Sequence, residues 1–354
     1  MTQEEFGRPD FRLVGGFRFR CVPGCGLCCY ATPAVTPAER ERLIQLDPDT
    51  PLLDTSEGWS QIASRSSGGA CYFLRGERCR CHPIRPATCG EFPLTTYVSE
   101  RVQVSVVLTC PGVDLAGLGN FATGSHRSGI STSLSSEVEF VNREVRSAAE
   151  RGRLRWASRR RQAVERRLRT RGGWQPEEEI RLHLRRQVDR WIPTDLPPAD
   201  GPTEAEALET LPMFYDPAFG RVAWRVHSAG MEFFTLHEEG GKARELEVLD
   251  TPNRSPGLDP AGQALLRGYL AYLLERDATV GAAYDYLLDA EPQLPELVVV
   301  DYLQQAAGQV VRMACLRRAL TSDHRGPLTE FDIENGIRAT DMDVLDRPTI
   351  GLTL

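Results

Sequence analysis

Four cysteines stand within nine residues in "CVPGCGLCC", at Cys21, Cys25, Cys28 and Cys29. A second set follows as C-x7-C-x-C-x7-C, at Cys71, Cys79, Cys81 and Cys89, and Cys110 sits in "TCPG". Thiolates are soft ligands, and four of them suit tetrahedral zinc or an iron–sulfur cluster, 4Fe-4S included. Close spacing lets one turn of backbone direct two or three sulfurs at one ion. Gly24 and Gly26 flank Cys25 and permit the unusual dihedrals of such a knuckle. The adjacent pair Cys28-Cys29 serves two metals, bridges them, or leaves one thiol free.

Three chemistries compete for these thiols. Structural disulfides are disfavoured, because the N-terminus "MTQEEFGRPDFRL" is acidic and polar and has no apolar core of a secretory signal. The expected location is therefore cytoplasmic, where thiols stay reduced. Cys21, Cys25 and Cys28 spell C-x3-C-x2-C, and three cysteines would leave one iron open for S-adenosylmethionine. Enzymes of that type build the cluster into a βα barrel, whereas the stretch that follows here is rich in Pro and Cys. The third reading is a compact metal domain that gathers both cysteine groups. Cys315, alone in an apolar helical pattern, reads as a small core residue.

The quoted segments "FRFRCVPGCGLCCYATPAVTPAE", "CYFLRGERCRCHPIRPATCGEFP" and "CPG" resemble the YkgJ-type cysteine-cluster family, described as a zinc- or iron-chelating domain. The match runs over roughly residues 17–112. Cys25, Cys28 and Cys29 fall on the family's first cluster, Cys71 on its C-x-F-L segment, and Cys79 and Cys89 on its later cysteines. Arg85-Pro86 and Phe92-Pro93 fall on its fixed pairs. Cys81 and His82 depart from the pattern and are either added ligands or local substitutions. The resemblance implies a ligand set of Cys21, Cys25, Cys28, Cys29, Cys71, Cys79, Cys89 and Cys110, with Cys81 as a further candidate. Eight thiols fill two four-sulfur sites or one binuclear centre. Arg85 would then hydrogen-bond sulfur and offset thiolate charge, with a surface salt bridge as the alternative. Phe73, Leu74, Phe92 and Leu94 would shield the sulfurs. Some relatives are described as flagellin lysine N-methylases, so a protein-modifying, S-adenosylmethionine-dependent enzyme is an alternative function. Whether the chain is an enzyme is left open at this stage.

The elements that position these residues are legible in outline. A chain of 354 residues with 41 % hydrophobic content supports two or three packed units. No apolar run reaches the roughly 18 residues of a membrane span, and no membrane partner is expected. A helix is expected at 37–46 and a strand at 102–108. Apolar residues at Val141, Val145, Ala148, Leu154, Ala157, Val164 and Leu168 step by threes and fours, which predicts amphipathic helix up to Gly172-Gly173. A Pro-rich, exposed linker is expected at 193–212. Three strands of a β-meander follow, "RVAWRVH", "MEFFTLHE" and "ARELEVLD", with turns at 228–230 and 239–241. Helices fill the remainder.

The expected fold class is α+β. A small irregular cysteine-rich domain (1–125) is followed by an Arg-rich helical segment (126–195), a linker and β-meander (196–258) and a C-terminal helical region (259–354). "DLAGLGNFATG" reads as an ordinary turn, with a cofactor loop as the alternative.

Net charge is −7, yet 41 of the 42 basic residues are arginine and Lys242 is the only lysine. Between Arg143 and Arg190 there are 16 Arg against 7 acidic residues. That excess offers a phosphate-binding face, with Trp156, Trp174 and Trp191 as base-stacking groups, so nucleic acid and a docked protein are both candidate partners beside the metal. The plain alternative is a solvated Arg face laced with Glu. His183, His227 and His237 read as ordinary surface or half-buried residues.

Overall fold

The computed structural model describes residues 11–14, 17–30, 33–54, 60–65, 69–76, 78–99, 102–122, 153–199, 201–203, 211–236, 242–289, 294–321, 326–345, 349–350 and 352–353. The expected helical residues Val141, Val145 and Ala148, the turn at 239–241 and His237 lie outside them.

In chain order, β1 (Phe11–Leu13) precedes the first cysteines, and β2 (Ala34–Val35) precedes α1 (Pro37–Leu46). The start of α1 follows from its sequence. Thr36 accepts from the Glu39 N–H while the Glu39 carboxylate accepts from the Thr36 N–H, a capping box, and Pro37 fills the first turn. β3 (Leu52–Asp54) and β4 (Ser60–Ile62) complete a small antiparallel sheet in the order β2-β4-β3. The ribbon β5 (Leu74–Arg75) and β6 (Arg78–Cys79) comes next, then α2 (Ala87–Glu91).

β7 (Leu94–Val98) and β8 (Val102–Val106) form a hairpin. β1 joins β8 in parallel, and β13 (Leu352–Thr353), at the far end of the chain, pairs antiparallel with β7. A 3-10 turn at Leu115–Leu118 and α3 (Gly119–Ala122) bury Leu115, Leu118 and Phe121. The segment read as a turn is therefore packed helix, seated so close to the C-terminal helices that a Cβ on Gly268 would lie 2.5 Å from the Leu118 carbonyl oxygen.

α4 (Arg153–Thr170) and α5 (Glu177–Arg185) follow. Ala157, Val164 and Leu168 form the buried stripe of α4, as the periodicity predicts. The meander has a fourth strand beyond the three expected: β9 (Met213–Asp216), β10 (Gly220–His227), β11 (Gly230–Leu236) and β12 (Lys242–Leu249), ordered β12-β11-β10-β9 and antiparallel throughout. α6 (Pro260–Glu275), α7 (Asp277–Asp289), α8 (Pro295–Leu320) and α9 (Glu330–Leu345) close the chain. Among the described residues, no helix is long and apolar enough to cross a membrane.

Two of the cores decide the architecture. The larger gathers α4 to α9 and also takes in Val14, Val106, Leu108, Val113, Leu115 and Phe121, so the β1-β8-β7-β13 sheet packs on the helices. Tyr272 fastens that contact: its hydroxyl accepts from the Val106 N–H and donates to the Val106 carbonyl, at 2.8 and 2.7 Å. The smaller core holds Val35, Leu43, Ile62, Ala70, Phe73 and Leu74 together with Cys29, Cys71 and Cys81. The described part of 193–212 departs from the exposed linker expected of it. Leu196 and Leu211 are buried, and a Cβ on Gly308 of α8 would meet Pro197 at 2.5 Å. Prolines with apolar neighbours pack well in such a seam, which Pro content alone does not show.

Candidate metal centre

The first knuckle is built by backbone pairing at its entry. The Arg20 N–H donates to the Gly112 carbonyl at 3.0 Å, the Asp114 N–H to the Arg18 carbonyl at 2.8 Å, and Phe19 bridges Val113. The strands approach so closely that a Cβ on Gly112 would stand 1.9 Å from the Arg20 oxygen. Cys21 and Cys110 are thereby brought to one end of the same short ladder. Beyond it the chain turns, with the Cys25 N–H on the Val22 carbonyl and with Gly24 and Gly26 at φ +81° and +58°. A 3-10 turn, Leu27–Tyr30, then points Cys29 inward, and the Leu27 N–H donates to the Cys25 sulfur at 3.4 Å.

The second cysteine group is tied to the first by one short bond, from the Cys71 N–H to the Cys29 carbonyl at 2.6 Å. The β5–β6 ribbon sets Cys79 opposite Leu74, and the sulfurs of Cys79 and Cys81 lie 3.5 Å apart. Cys89 rides on α2. That helix is held by α1: the buried Glu39 carboxylate, already in its capping box, also accepts from the Ala87 N–H at 2.8 Å.

Cys21, Cys28, Cys29, Cys71, Cys79, Cys81 and Cys89 line one cavity of about 480 Å³. Cys25 and Cys110 do not line it. They lie beside Cys21 and Cys28, whose charges both of them feel. Cys315 sits in α8 against the main core, apart from the other nine, as the sequence reading expects. Among the described residues, no three His, Cys, Asp or Glu side chains are already drawn in around one point at ligand spacing. The thiols face a shared space rather than a closed tetrahedron.

Burial governs the protonation of these sulfurs. It pushes the Cys25 thiol up to about 12, opposed by the Leu27 N–H, and the Cys71 thiol up to about 11. Burial and the nearby thiolates of Cys28, Cys71 and Cys79 raise Cys89, while Arg85 works against them. Within the hydrogen-bonded set, Cys79 is pulled down by the thiols of Cys29 and Cys81, which are themselves pushed up. Full deprotonation of the set needs positive charge in the cavity, and among the described lining residues the donors are soft sulfurs and His82, with no carboxylate. The donor set fits zinc or iron.

Arginines supply part of that charge. The hydrogen bond with Cys29 lowers Cys28 and Arg85 adds to it, Arg85 opposes the burial that raises Cys89, and its Nη1 donates to His82 Nε2 at 3.0 Å. His82 itself is exposed at the rim. Three further arginines escaped the sequence reading. Arg65 opposes the burial that raises Cys71. Burial raises the Cys110 thiol too, and Arg338 of α9 opposes it while donating to the carbonyls of Leu108, Cys110 and Val113. Arg221 of β10 lies over the Tyr30 ring at 5.5 Å, with Nη1 3.0 Å from where a Gly26 Cβ would be. Phe73 and Leu74 shield the sulfurs as expected, but Leu94 packs against the main core instead.

Residues 20–111 carry a CxxCxxCC domain. That family is described as "Putative zinc- or iron-chelating domain", and its match covers about a quarter of the chain. No curated protein and no solved structure matches the chain. All nine N-terminal cysteines fall inside the CxxCxxCC domain, whereas Arg221 and Arg338 reach it from outside.

The Arg-rich helices serve a different end. Arg161 pairs with Glu177, Arg181 with Glu177, Glu178 and Asp277, Arg185 with Glu275, and Arg160 with Asp285. Trp174 stacks on Tyr284 and Trp191 is buried, so neither faces a nucleic acid; of the three tryptophans only Trp156 is exposed, and Arg160 covers its ring at 5.3 Å. His183 meets Glu296 at 3.1 Å and His227 accepts from the Ala229 N–H, both ordinary surface roles.

Proposed function

We propose that the CxxCxxCC domain holds zinc or an iron–sulfur cluster in the sulfur-lined cavity, with Cys28, Cys29, Cys71, Cys79, Cys81 and Cys89 as the ligand pool. The convergence of thiols from four separate stretches of chain on one space carries this reading. Cys21 lines the mouth, and with Cys25 and Cys110 it offers a second set of sulfurs beside Cys28. Arg85 and Arg65 offset the charge of the bound thiolates, as outer-shell groups do in metal sites generally. The metal, when bound, supplies cross-links that add to the small apolar core of this region. The family match supports metal binding in general, and the choice between zinc and iron is part of the proposal.

The test is anaerobic purification of the full chain, followed by elemental analysis and a visible spectrum. Stoichiometric zinc in a colourless protein, or iron with acid-labile sulfide in a brown one, is the expected result. A preparation free of both metals, with all nine thiols titrating freely, would remove the proposal.

A further inference from the structure

The cavity is larger than a single zinc site needs. Zinc–sulfur bonds of about 2.3 Å enclose a sphere of roughly 50 Å³. The cavity measures about 480 Å³, inside the range of roughly 300–1,000 Å³ typical of small-molecule sites. Its chemistry also changes with depth. Cys29, Cys71 and Cys81 are buried, whereas Arg78 and His82 are exposed at the rim and Arg85 is half-buried.

Among the described residues, the arginines that line the cavity are Arg78 and Arg85, with no aspartate or glutamate beside them in the lining. Arg85 Nη1 lies 3.0 Å from His82 Nε2. That contact holds the Arg85 guanidinium at the rim. Fully buried Ile62 and Leu74 supply apolar wall in the same lining.

We propose that the cavity binds a small organic anion, a carboxylate or phosphate group on an apolar body. The anionic end lies at Arg78 and Arg85, whose planar forks match the oxygens of either group. The body lies along Ile62 and Leu74 and faces the sulfur floor. This deepens the metal reading, since such a molecule would sit against the metal's sulfurs, yet anion binding can be measured separately from metal content. Arginines that serve only to offset thiolate charge would bind no such molecule.

The experiment uses the full chain, purified anaerobically, with metal content determined first. Calorimetric titrations follow with phenyl phosphate and benzoate, and with inorganic phosphate and acetate as the matching ions without a body. Saturable binding of phenyl phosphate or benzoate, about tenfold or more tighter than its control ion, is expected. The preferred member of the pair identifies the head group. Arg78→Ala weakens that binding about tenfold with metal content unchanged, and Arg85→Lys, which keeps the charge and loses the fork, weakens it too. Four probes without saturable heat, control ions that bind as well as the organic ones, or unaltered binding in both variants would each overturn the proposal. Absent metal, by contrast, strikes the metal reading and leaves the titrations to decide the anion site.

Discussion

The cysteine region and the helical body solve the problem of buried charge in opposite ways. In the body, deep arginines pair with carboxylates of the protein itself. Arg276 and Asp341 are both fully buried and pair at 2.8 Å, and the same two side chains hold the Val106 carbonyl and the Leu108 N–H. Arg181 and Asp277, each 1 % exposed, meet at 2.7 Å. In the cysteine region several thiols share one cavity, and among the described residues Arg78 and Arg85 bring positive charge to its lining. The body also has a large apolar core, whereas a third of the buried residues in the smaller core are cysteines. One part of the molecule is built to stand by its own packing and ion pairs. The other is built around a positive charge that the chain itself does not contain.

The contrast is broken most forcefully by removing the metal. A chelator under reducing conditions is expected to abolish hydrogen-exchange protection across β2–β6, α1 and α2 while α6–α9 keep theirs, since structural zinc contributes on the order of 10 kcal/mol in small domains. Equal loss in both parts would show that the body depends on the centre as well.

Next in size is the buried pair. Arg276→Met leaves Asp341 charged and unpartnered, and a cost of about 3–5 kcal/mol in urea unfolding followed by helical circular dichroism is expected. Metal content per folded molecule should stay the same, because the lesion lies in the other half of the comparison.

Gly112→Ala probes the seam between the halves. Its methyl cannot avoid the Arg20 carbonyl, so the 18–20 and 112–114 ladder must part, at about 1–3 kcal/mol. Faster exchange of the Arg20 and Asp114 amides, with Cys21 and Cys110 alkylated more quickly, is the readout. Arg221→Ala should have the smallest effect, about 0.5–1 kcal/mol for the lost contact with Tyr30. A chelator competition that moves far more than this would make Arg221 part of the centre's electrostatics.

How much of this was legible beforehand depended on whether the signal was local. α1 could be read from Thr36, Pro37 and Glu39, because a capping box lies within four residues. The α4 stripe followed from periodicity, and the cysteine spacing marked the thiols that line the cavity. Arg338, in contrast, reaches the carbonyl of Cys110 across 228 positions, and β13 pairs with β7 from the far end of the chain. Neither leaves a local trace, since periodicity marks a buried face and is silent about what covers it. The Arg-rich stretch shows the same limit: the carboxylates that pair with Arg160, Arg181 and Arg185 include Asp285, Asp277 and Glu275, about a hundred positions away.

X-ray absorption at the metal edge of the anaerobically purified full chain tests the central claim most directly. A first shell of sulfur alone, at about 2.3 Å, is the predicted result. A shell of nitrogen and oxygen, or no bound metal to measure, would contradict it.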